Sequence, residues 1–205
     1  ALAAFAAEPA GRDLFVAAST HEGEEAIIGA AHRLVRRERP HLLTVLVPRH
    51  PLRGPTIADA LRAEGLAVAV RSRGQPIDTA TDIYLADTLG ELGVFYRAAP
   101  VAFLGGTLVP IGGHNPIEAA LLDTAILHGP HVALDRESGL APVADAAALA
   151  EALAALLADP DASRMAARRA AAALSPFSGA LDATLAGLAP FLDPSAGRRA
   201  AERSP

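Results

Sequence analysis

Cysteine is missing from all 205 residues of the chain. This absence excludes disulfide bonds, thiolate nucleophiles and cysteine-ligated zinc, and nothing indicates an oxidising compartment, so the cytoplasm is the default location. Aromatic residues are scarce at 4%, whereas 51% of the residues are hydrophobic and 20% are charged. That balance is typical of one globular α/β domain and argues against disorder.

Long apolar runs and an excess of basic residues are missing as well. No stretch reaches the ~20 apolar residues of a membrane helix, and the apolar opening at 1–7 lacks the basic start of a signal peptide. The net charge of −5 gives no general attraction to nucleic acid or to an anionic membrane, so a bound anion needs a local cluster of donors. Because the first residue is Ala1 and a strand follows at once, we expect a soluble part of a longer protein.

Short apolar runs alternate with helical patterns along the chain. The predicted strands are 14–18, 42–47, 66–70, 82–86, 101–104 and 125–128. The predicted helices are 22–37, 56–64, 90–99, 116–122, 146–157, 162–174 and 179–192, with breaks at Pro160 and Pro176. Because the strands are apolar on both faces, we predict a Rossmann-like α/β fold with a parallel sheet of about six strands and helices on both faces. We assign 1–13 to a lead-in, 14–195 to this domain and 196–205 to a disordered tail.

Polar residues and glycines follow four of the predicted strands. The carboxyl ends of parallel strands meet at one edge of the sheet, where ligands bind. The residues expected at this edge are Ser19, Thr20, His21, Pro48, Arg49, His50, Gly90, Glu91, Gly105, Gly106, Thr107, Gly112, Gly113, His114, Asn115 and Glu118. Singly, each group is typical of ordinary turns and helix caps. Together they favour a site for a nucleotide phosphate and its ribose.

The glycine-rich segment 105–118 predicts a phosphate-binding loop ahead of a helix. Its four glycines permit close backbone approach, and the helix beginning near Pro116 directs free N–H groups at an anion. We expect Asn115 at the N-cap or just before it, and Pro116 at the first helical position, where proline is favoured.

Two charged side chains are predicted to hold the nucleotide. Arg49 lies on a rigid turn and offers a guanidinium fork that matches phosphate oxygens. Glu118 is either a bidentate acceptor for the ribose hydroxyls or a surface carboxylate that complements the helix dipole. His50 and His114 are either further donors or structural residues.

Two common nucleotide motifs and a metal site are not supported. There is no GxxxxGK[ST] loop and no complete GxGxxG fingerprint, which argues against an NTPase and against a dinucleotide oxidoreductase. His128 and His131 have the spacing His-x-x-His but lack a third ligand nearby, so we predict neither a metal nor a cofactor.

Several ordered segments of the chain resemble the 3-deoxy-D-manno-octulosonic acid (Kdo) transferases of lipopolysaccharide assembly. They are 17–25 (AASTHEGEE), 46–51 (LVPRHP), 87–92 (DTLGEL), 103–110 (FLGGTLVP) and 112–118 (GGHNPIE). The resemblance implies a GT-B glycosyltransferase with two Rossmann-like domains, of which this chain is the C-terminal, donor-binding one. It implies CMP-Kdo as the donor, a lipid A precursor as the acceptor and no metal.

The resemblance also implies roles for particular residues. In the family's pattern CMP is held by Pro48 and Arg49, by Gly90, Glu91 and Leu92, and by Asn115 and Glu118. The family's general base lies on its N-terminal domain, which this chain lacks, so the fragment is expected to bind the donor but to be inactive. The full-length protein is expected at the cytoplasmic face of the inner membrane. After His131 the chain departs from the family's pattern, which leaves any contact from that loop open.

Other functions remain compatible with the residues. The chain is alternatively a freestanding nucleotide-binding or regulatory module, or a UDP-sugar enzyme of similar fold such as an epimerase. Paired catalytic carboxylates at Glu24 and Glu91 are the weaker interpretation, because a carboxylate is favoured at a helix start without any chemistry.

Overall fold

The computed structural model describes Phe5 and residues 11–132, 142–178 and 184–188, and within this part all strands form one parallel sheet. The strands are β1 (Asp13–Thr20), β2 (Leu42–Pro48), β3 (Val68–Val70), β4 (Ile83–Leu85), β5 (Val101–Leu104) and β6 (Ala125–His128). Their spatial order is β3-β4-β2-β1-β5-β6. The chain therefore builds the sheet outward from β1 in two directions, and the order reverses between β1 and β5.

The helices are α1 (Glu24–Arg36), α2 (Gly54–Ala63), α3 (Leu92–Ala98), α4 (Ile117–Leu121), α5 (Ala146–Ala158) and α6 (Pro160–Ser178). Two single turns of 3₁₀-helix, Pro51–Arg53 and Arg71–Arg73, follow β2 and β3. None of the helices in the described ranges combines the length and the apolar composition of a membrane span.

The core lies on both faces of the sheet. Along β1, Phe15 and Ala17 belong to one buried cluster, whereas Val16 and Ala18 belong to another. The first cluster includes buried side chains of α1, α2 and α5, and the second includes those of α3, α4 and α6. This arrangement confirms the predicted sheet with helices on both faces, because successive residues of a strand point to opposite sides.

Each predicted strand corresponds to an observed one, with ends that differ by at most two residues. Pro160 begins α6, but the break predicted at Pro176 is wrong, since α6 continues to Ser178. A proline in the last turn removes only one main-chain N–H bond, and the helix ends two residues later. Of the helix predicted at 179–192, the described residues 184–188 are helical.

The predicted lead-in contributes to the core at one residue. Phe5 is 3% exposed, and its ring lies 5.0 Å from the ring of Phe95 and 5.9 Å from that of Tyr84. The tail predicted at 196–205 lies outside the described residues.

Candidate functional site

Three histidines and an arginine meet where the strand order reverses. His21 follows β1, Arg49 and His50 follow β2, and His114 lies in the loop between β5 and α4. The Nε2 atoms of His21 and His114 are 2.8 Å apart, and their rings are nearly parallel, at 8°. The ring of His50 stands almost perpendicular to that of His21, at 88° and 5.9 Å. The structure thus unites residues that are 93 positions apart, and we call these four residues the basic cluster.

The basic cluster has few acidic neighbours. Burial lowers the pKa of His114, and His21 and then Arg49 lower it further, whereas the carboxylate of Glu24 opposes them. Arg49 and His50 are exposed, and within the described part the Arg49 guanidinium has neither a hydrogen bond nor an ion pair. An exposed cation beside imidazole rings favours the binding of an anion.

The turn that carries Arg49 is fixed to the end of β1. The main-chain N–H of Arg49 donates to the carbonyl of Thr20 at 2.9 Å. The backbone of Ser19 is left-handed (φ +55°), and the pairing with β2 shifts register between Ala18 and Thr20. Thr20 ends β1 at the predicted edge, but it is fully buried and its hydroxyl donates to Glu25 at 3.1 Å.

The buried carboxylate of Glu24 occupies the amides of the glycine-rich loop. It accepts hydrogen bonds from the N–H groups of Gly106 (2.7 Å), Thr107 (3.0 Å) and Leu108 (2.9 Å), and from that of His21 (2.9 Å). The amides of residues 106–108 are therefore not available to a phosphate in this structure, and the prediction that the amides at the start of the following helix face an anion stays a prediction. The N–H of Gly105 is likewise bonded within the protein, since it donates to Ala18 at 2.8 Å.

Two glycines of the loop are required by close packing. A Cβ at Gly105 would lie 2.3 Å from the carbonyl oxygen of Ser19, and one at Gly113 would lie 2.9 Å from the side chain of Val132. Gly113 also has a positive φ, +81°, and its N–H donates to the carbonyl of Gly106 at 2.8 Å. Gly112, with φ +98°, is exposed. These glycines let the loop fold back on itself and hold His114 against His21.

The helix start at Asn115 is displaced by one residue from the predicted position. Pro116 is the N-cap of α4, not its first helical residue, and Asn115 Oδ1 accepts the N–H of Ile117 at 2.9 Å. Glu118 is exposed, and its Oε1 lies 3.1 Å from where a Cβ would be at Gly93. The first turn of α4 therefore lies beside the first turn of α3.

Glu91, the N-cap of α3, is held by a residue that the sequence analysis missed. Its carboxylate is bound through both oxygens by the guanidinium of Arg71 and accepts the hydroxyl of Thr88 at 2.5 Å. The hydrogen bond from Arg71 is the main cause that lowers the pKa of Glu91. The Glu91 carboxylate is already paired with Arg71. A ligand contact from this turn would therefore come from the main chain of Gly90 and Leu92.

Arg71 also lines a cavity beyond the carboxyl ends of β3 and β4. It donates to the hydroxyl of Tyr84 at 2.6 Å, and the cavity, of about 770 Å³, is lined in addition by Ser72, Thr88 and Glu91. The sequence contains a signal for Arg71, because it directly follows the third predicted strand. The cavity extends the site along the edge of the sheet.

Metal ligands do not gather within the described ranges. No group of three or more histidine or acidic side chains there is arranged to hold a metal ion. His128, considered with His131, is 4% exposed, and its Nδ1 lies 2.8 Å from the carbonyl of Gly129.

Arg49 and Glu118 lie at the same edge of the sheet. Arg49 follows the carboxyl end of β2, and Glu118 is in the first turn of the helix that the loop after β5 leads into. His114, four positions before Glu118, is within electrostatic range of Arg49.

Curated relatives match more than half of the chain, although no family model matches it. The probable mitochondrial 3-deoxy-D-manno-octulosonic acid transferase of Arabidopsis thaliana is 41% identical over 121 residues, which are 58% of this chain and 27% of the relative. The 3-deoxy-D-manno-octulosonic acid transferase of Bordetella pertussis is 42% identical over 147 residues, or 68% of this chain and 33% of the relative. The chain thus spans about a third or less of these relatives.

Solved structures agree with these relatives. A UDP-forming trehalose-phosphate synthase from Burkholderia xenovorans shares the fold at 19% identity, with a TM-score of 0.63. The C-terminal CMP-Kdo binding domain of WaaA from Acinetobacter baumannii is 30% identical, with a TM-score of 0.76, and the match covers 84% of this chain and 97% of that one. Since that domain is matched almost entirely, the chain belongs to the 3-deoxy-D-manno-octulosonic acid transferase family, as the counterpart of a C-terminal GT-B domain.

Proposed function

We propose that this chain is the donor-binding domain of a Kdo transferase and binds CMP-Kdo at the carboxyl edge of its sheet. The similarity to a CMP-Kdo binding domain over 97% of that domain's length carries the proposal. We assign this function to residues 14–195, with 1–13 as a lead-in and 196–205 as a tail.

The geometry favours a phosphate at the basic cluster. The Arg49 guanidinium is exposed and has no ion-pair partner in the described part of the chain, so an incoming phosphate can accept both of its parallel N–H bonds. The carboxylate of Glu24, which favours a charge on His114, is buried and accepts four main-chain N–H groups, so no hydrogen bond joins it to a side chain of the cluster in the described part. His50 and His114 add nitrogen donors on either side of His21.

The ribose and the base belong further along the same edge. Glu118 is exposed beside Gly93, where its carboxylate can accept two hydroxyl groups. Asn115 and Pro48 belong to the turns that carry Glu118 and Arg49, and we assign a further contact with the nucleotide to the main chain at Gly90 and Leu92.

The remaining steps of the reaction belong to the rest of the full-length protein. We assign the acceptor site, for a lipid A precursor, and the general base to an N-terminal domain, so the chain alone transfers nothing. The transfer is proposed to need no metal and to take place at the cytoplasmic face of the inner membrane.

Titration calorimetry with CMP, UMP and UDP tests donor binding. We expect CMP to bind more tightly than UMP and UDP, and Arg49→Ala to weaken CMP binding by at least tenfold, because a charge-assisted bidentate contact is worth about 1.5–3 kcal/mol. Arg37→Ala is the matched control, since Arg37 is also exposed but lies at the carboxyl end of α1, away from the site.

Three results would contradict the proposal. They are equal affinity for the three nucleotides, no binding of CMP, and an equal loss of affinity in both variants. A preference for UDP would instead favour the UDP-sugar enzyme.

A further inference from the structure

The contact between His21 and His114 requires a particular proton arrangement. With Nε2 atoms 2.8 Å apart, one Nε2 must carry a proton and the other must accept it. Neither ring has another hydrogen bond within the described ranges; the accepting ring carries its own proton at Nδ1, and the Nδ1 of the donating ring is free to take a proton. The neutral pair can therefore accept one more proton at Nδ1 and keep its Nε2–H···Nε2 bond.

In the absence of an anion, the groups around His114 disfavour its protonation. His114 is flanked by His21, His50 and Arg49, and all three oppose a positive charge on it. Burial is the largest cause that lowers its pKa, and only the carboxylate of Glu24 acts in the opposite direction. An anion placed against Arg49 would remove this opposition, because its charge favours the imidazolium.

We propose that the His21–His114 pair is a proton-coupled phosphate-binding element, which takes up a proton when a nucleotide monophosphate binds beside Arg49. This inference rests on the proposed function, because it places the phosphate of CMP at the basic cluster. It adds that the affinity for CMP depends on pH through these two histidines. By linkage, a site that takes up a proton on binding loses affinity as the pH rises, by up to about tenfold per pH unit.

Whether protons are taken up or released on binding shows whether the protein or CMP exchanges them. The second pKa of a phosphate monoester is about 6, so CMP is mostly dianionic at pH 7.4. Binding at a basic site can only release the few protons that CMP still carries. Net uptake must therefore come from groups of the protein.

Calorimetry of this chain with CMP at pH 7.4, in MOPS and in Tris, measures the exchange, because the two buffers differ in ionisation enthalpy. We expect an uptake of between about 0.3 and 1 proton per CMP, and affinity that falls from pH 7 to pH 8.5. His114→Gln and, independently, His21→Gln should abolish the uptake and flatten the pH profile, since glutamine keeps a polar group but does not titrate. His41→Gln, at an exposed position before β2, should leave both unchanged.

The outcomes distinguish this inference from the proposed function. If CMP binds with the same enthalpy in both buffers, or if both histidine variants retain the uptake of the wild type, the proton-coupled element is overturned and donor binding stands. If CMP does not bind at all, both proposals fail. Thermal melting of each variant shows whether it is folded, and an absence of uptake in the wild type overturns the element without any variant.

Discussion

Among single residues, Glu24 has the most constrained surroundings of the site. Its carboxylate is fully buried and accepts four main-chain N–H groups, three of them from the glycine-rich loop. It occupies the position that an external anion takes in many glycine-rich loops. The loop is thereby ordered by a side chain of the protein itself, so the proposed phosphate contact is assigned to side chains such as Arg49.

Glu24→Gln should destabilise the domain without changing its volume. The amide NH₂ would face main-chain N–H donors in place of an acceptor, so at least one buried donor loses its partner. We expect a loss of about 2–4 kcal/mol in the free energy of unfolding, measured by urea denaturation.

Glu22→Gln is the matched control for this prediction. Glu22 lies two residues earlier and is exposed, so its replacement should change stability by less than about 0.5 kcal/mol. Equal stability of Glu24→Gln and the wild type would mean that the carboxylate does not organise the loop.

Single-residue roles were the part of the site least accessible from the sequence. The sequence predicts Arg49 and His114 at the site because Arg49 follows a strand and His114 precedes a helix, each in a recognisable turn. For Glu24 the local pattern predicts only a charge at a helix start, because its three partners in the glycine-rich loop are more than 80 positions away. The position of Arg71 directly after β3 is a local signal, but it does not reveal the partner Glu91, which lies 20 positions further along the chain.

At the scale of elements, the ion pair of Arg71 and Glu91 joins the end of β3 to the start of α3. The first residue of the 3₁₀ turn after β3 binds the N-cap of α3, and the hydroxyl of Tyr84 on β4 supports the same guanidinium. This pairing orients the turn at Gly90, which belongs to the proposed nucleotide site.

The strands and helices are predictable from the sequence because each has a clear apolar period. The pairing of one strand end with a particular helix start is not, because it is set by the order of strands in the sheet.

Arg71→Gln should raise the pKa of Glu91 toward the ordinary value of about 4.3, because the hydrogen bond from Arg71 is the main cause that lowers it. A depressed carboxyl pKa stabilises the folded state above the unfolded pKa, and this contribution is lost as the pH falls through the folded pKa. The difference in unfolding free energy between wild type and variant should therefore be complete at pH 7 and should shrink below about pH 4.3. NMR titration of the Glu91 carboxyl and denaturation at several pH values measure the two effects.

Arg73→Gln serves as the control, since Arg73 is exposed in the same turn. It should leave the titration of Glu91 unchanged. A Glu91 pKa that is the same in wild type and Arg71→Gln would show that the pair does not persist in solution.

On the scale of the whole molecule, the proposed site joins the two halves of the sheet. Arg49 follows β2 on one side of the reversal in strand order, and His114 follows β5 on the other, while β1 pairs with both strands. The sequence predicted six strands but not this order, because apolar periodicity defines each element and says nothing about its neighbours. A ligand that contacts both halves can only bind when the entire sheet is formed.

CMP should therefore stabilise the domain as one cooperative unit. At a CMP concentration 100 times its dissociation constant, the free energy of unfolding should rise by about 2.7 kcal/mol, since binding requires the folded state. Urea denaturation with and without CMP measures this increase in the free energy of unfolding. Hydrogen exchange followed in parallel should slow in β2 and in β5 together.

Arg49→Ala and His114→Gln, which alter the proposed site on opposite sides of β1, should each reduce the protection of both strands. Protection confined to β2 in the wild type would mean that the nucleotide does not reach the loop after β5, and the site would then have to be placed on one half of the sheet alone.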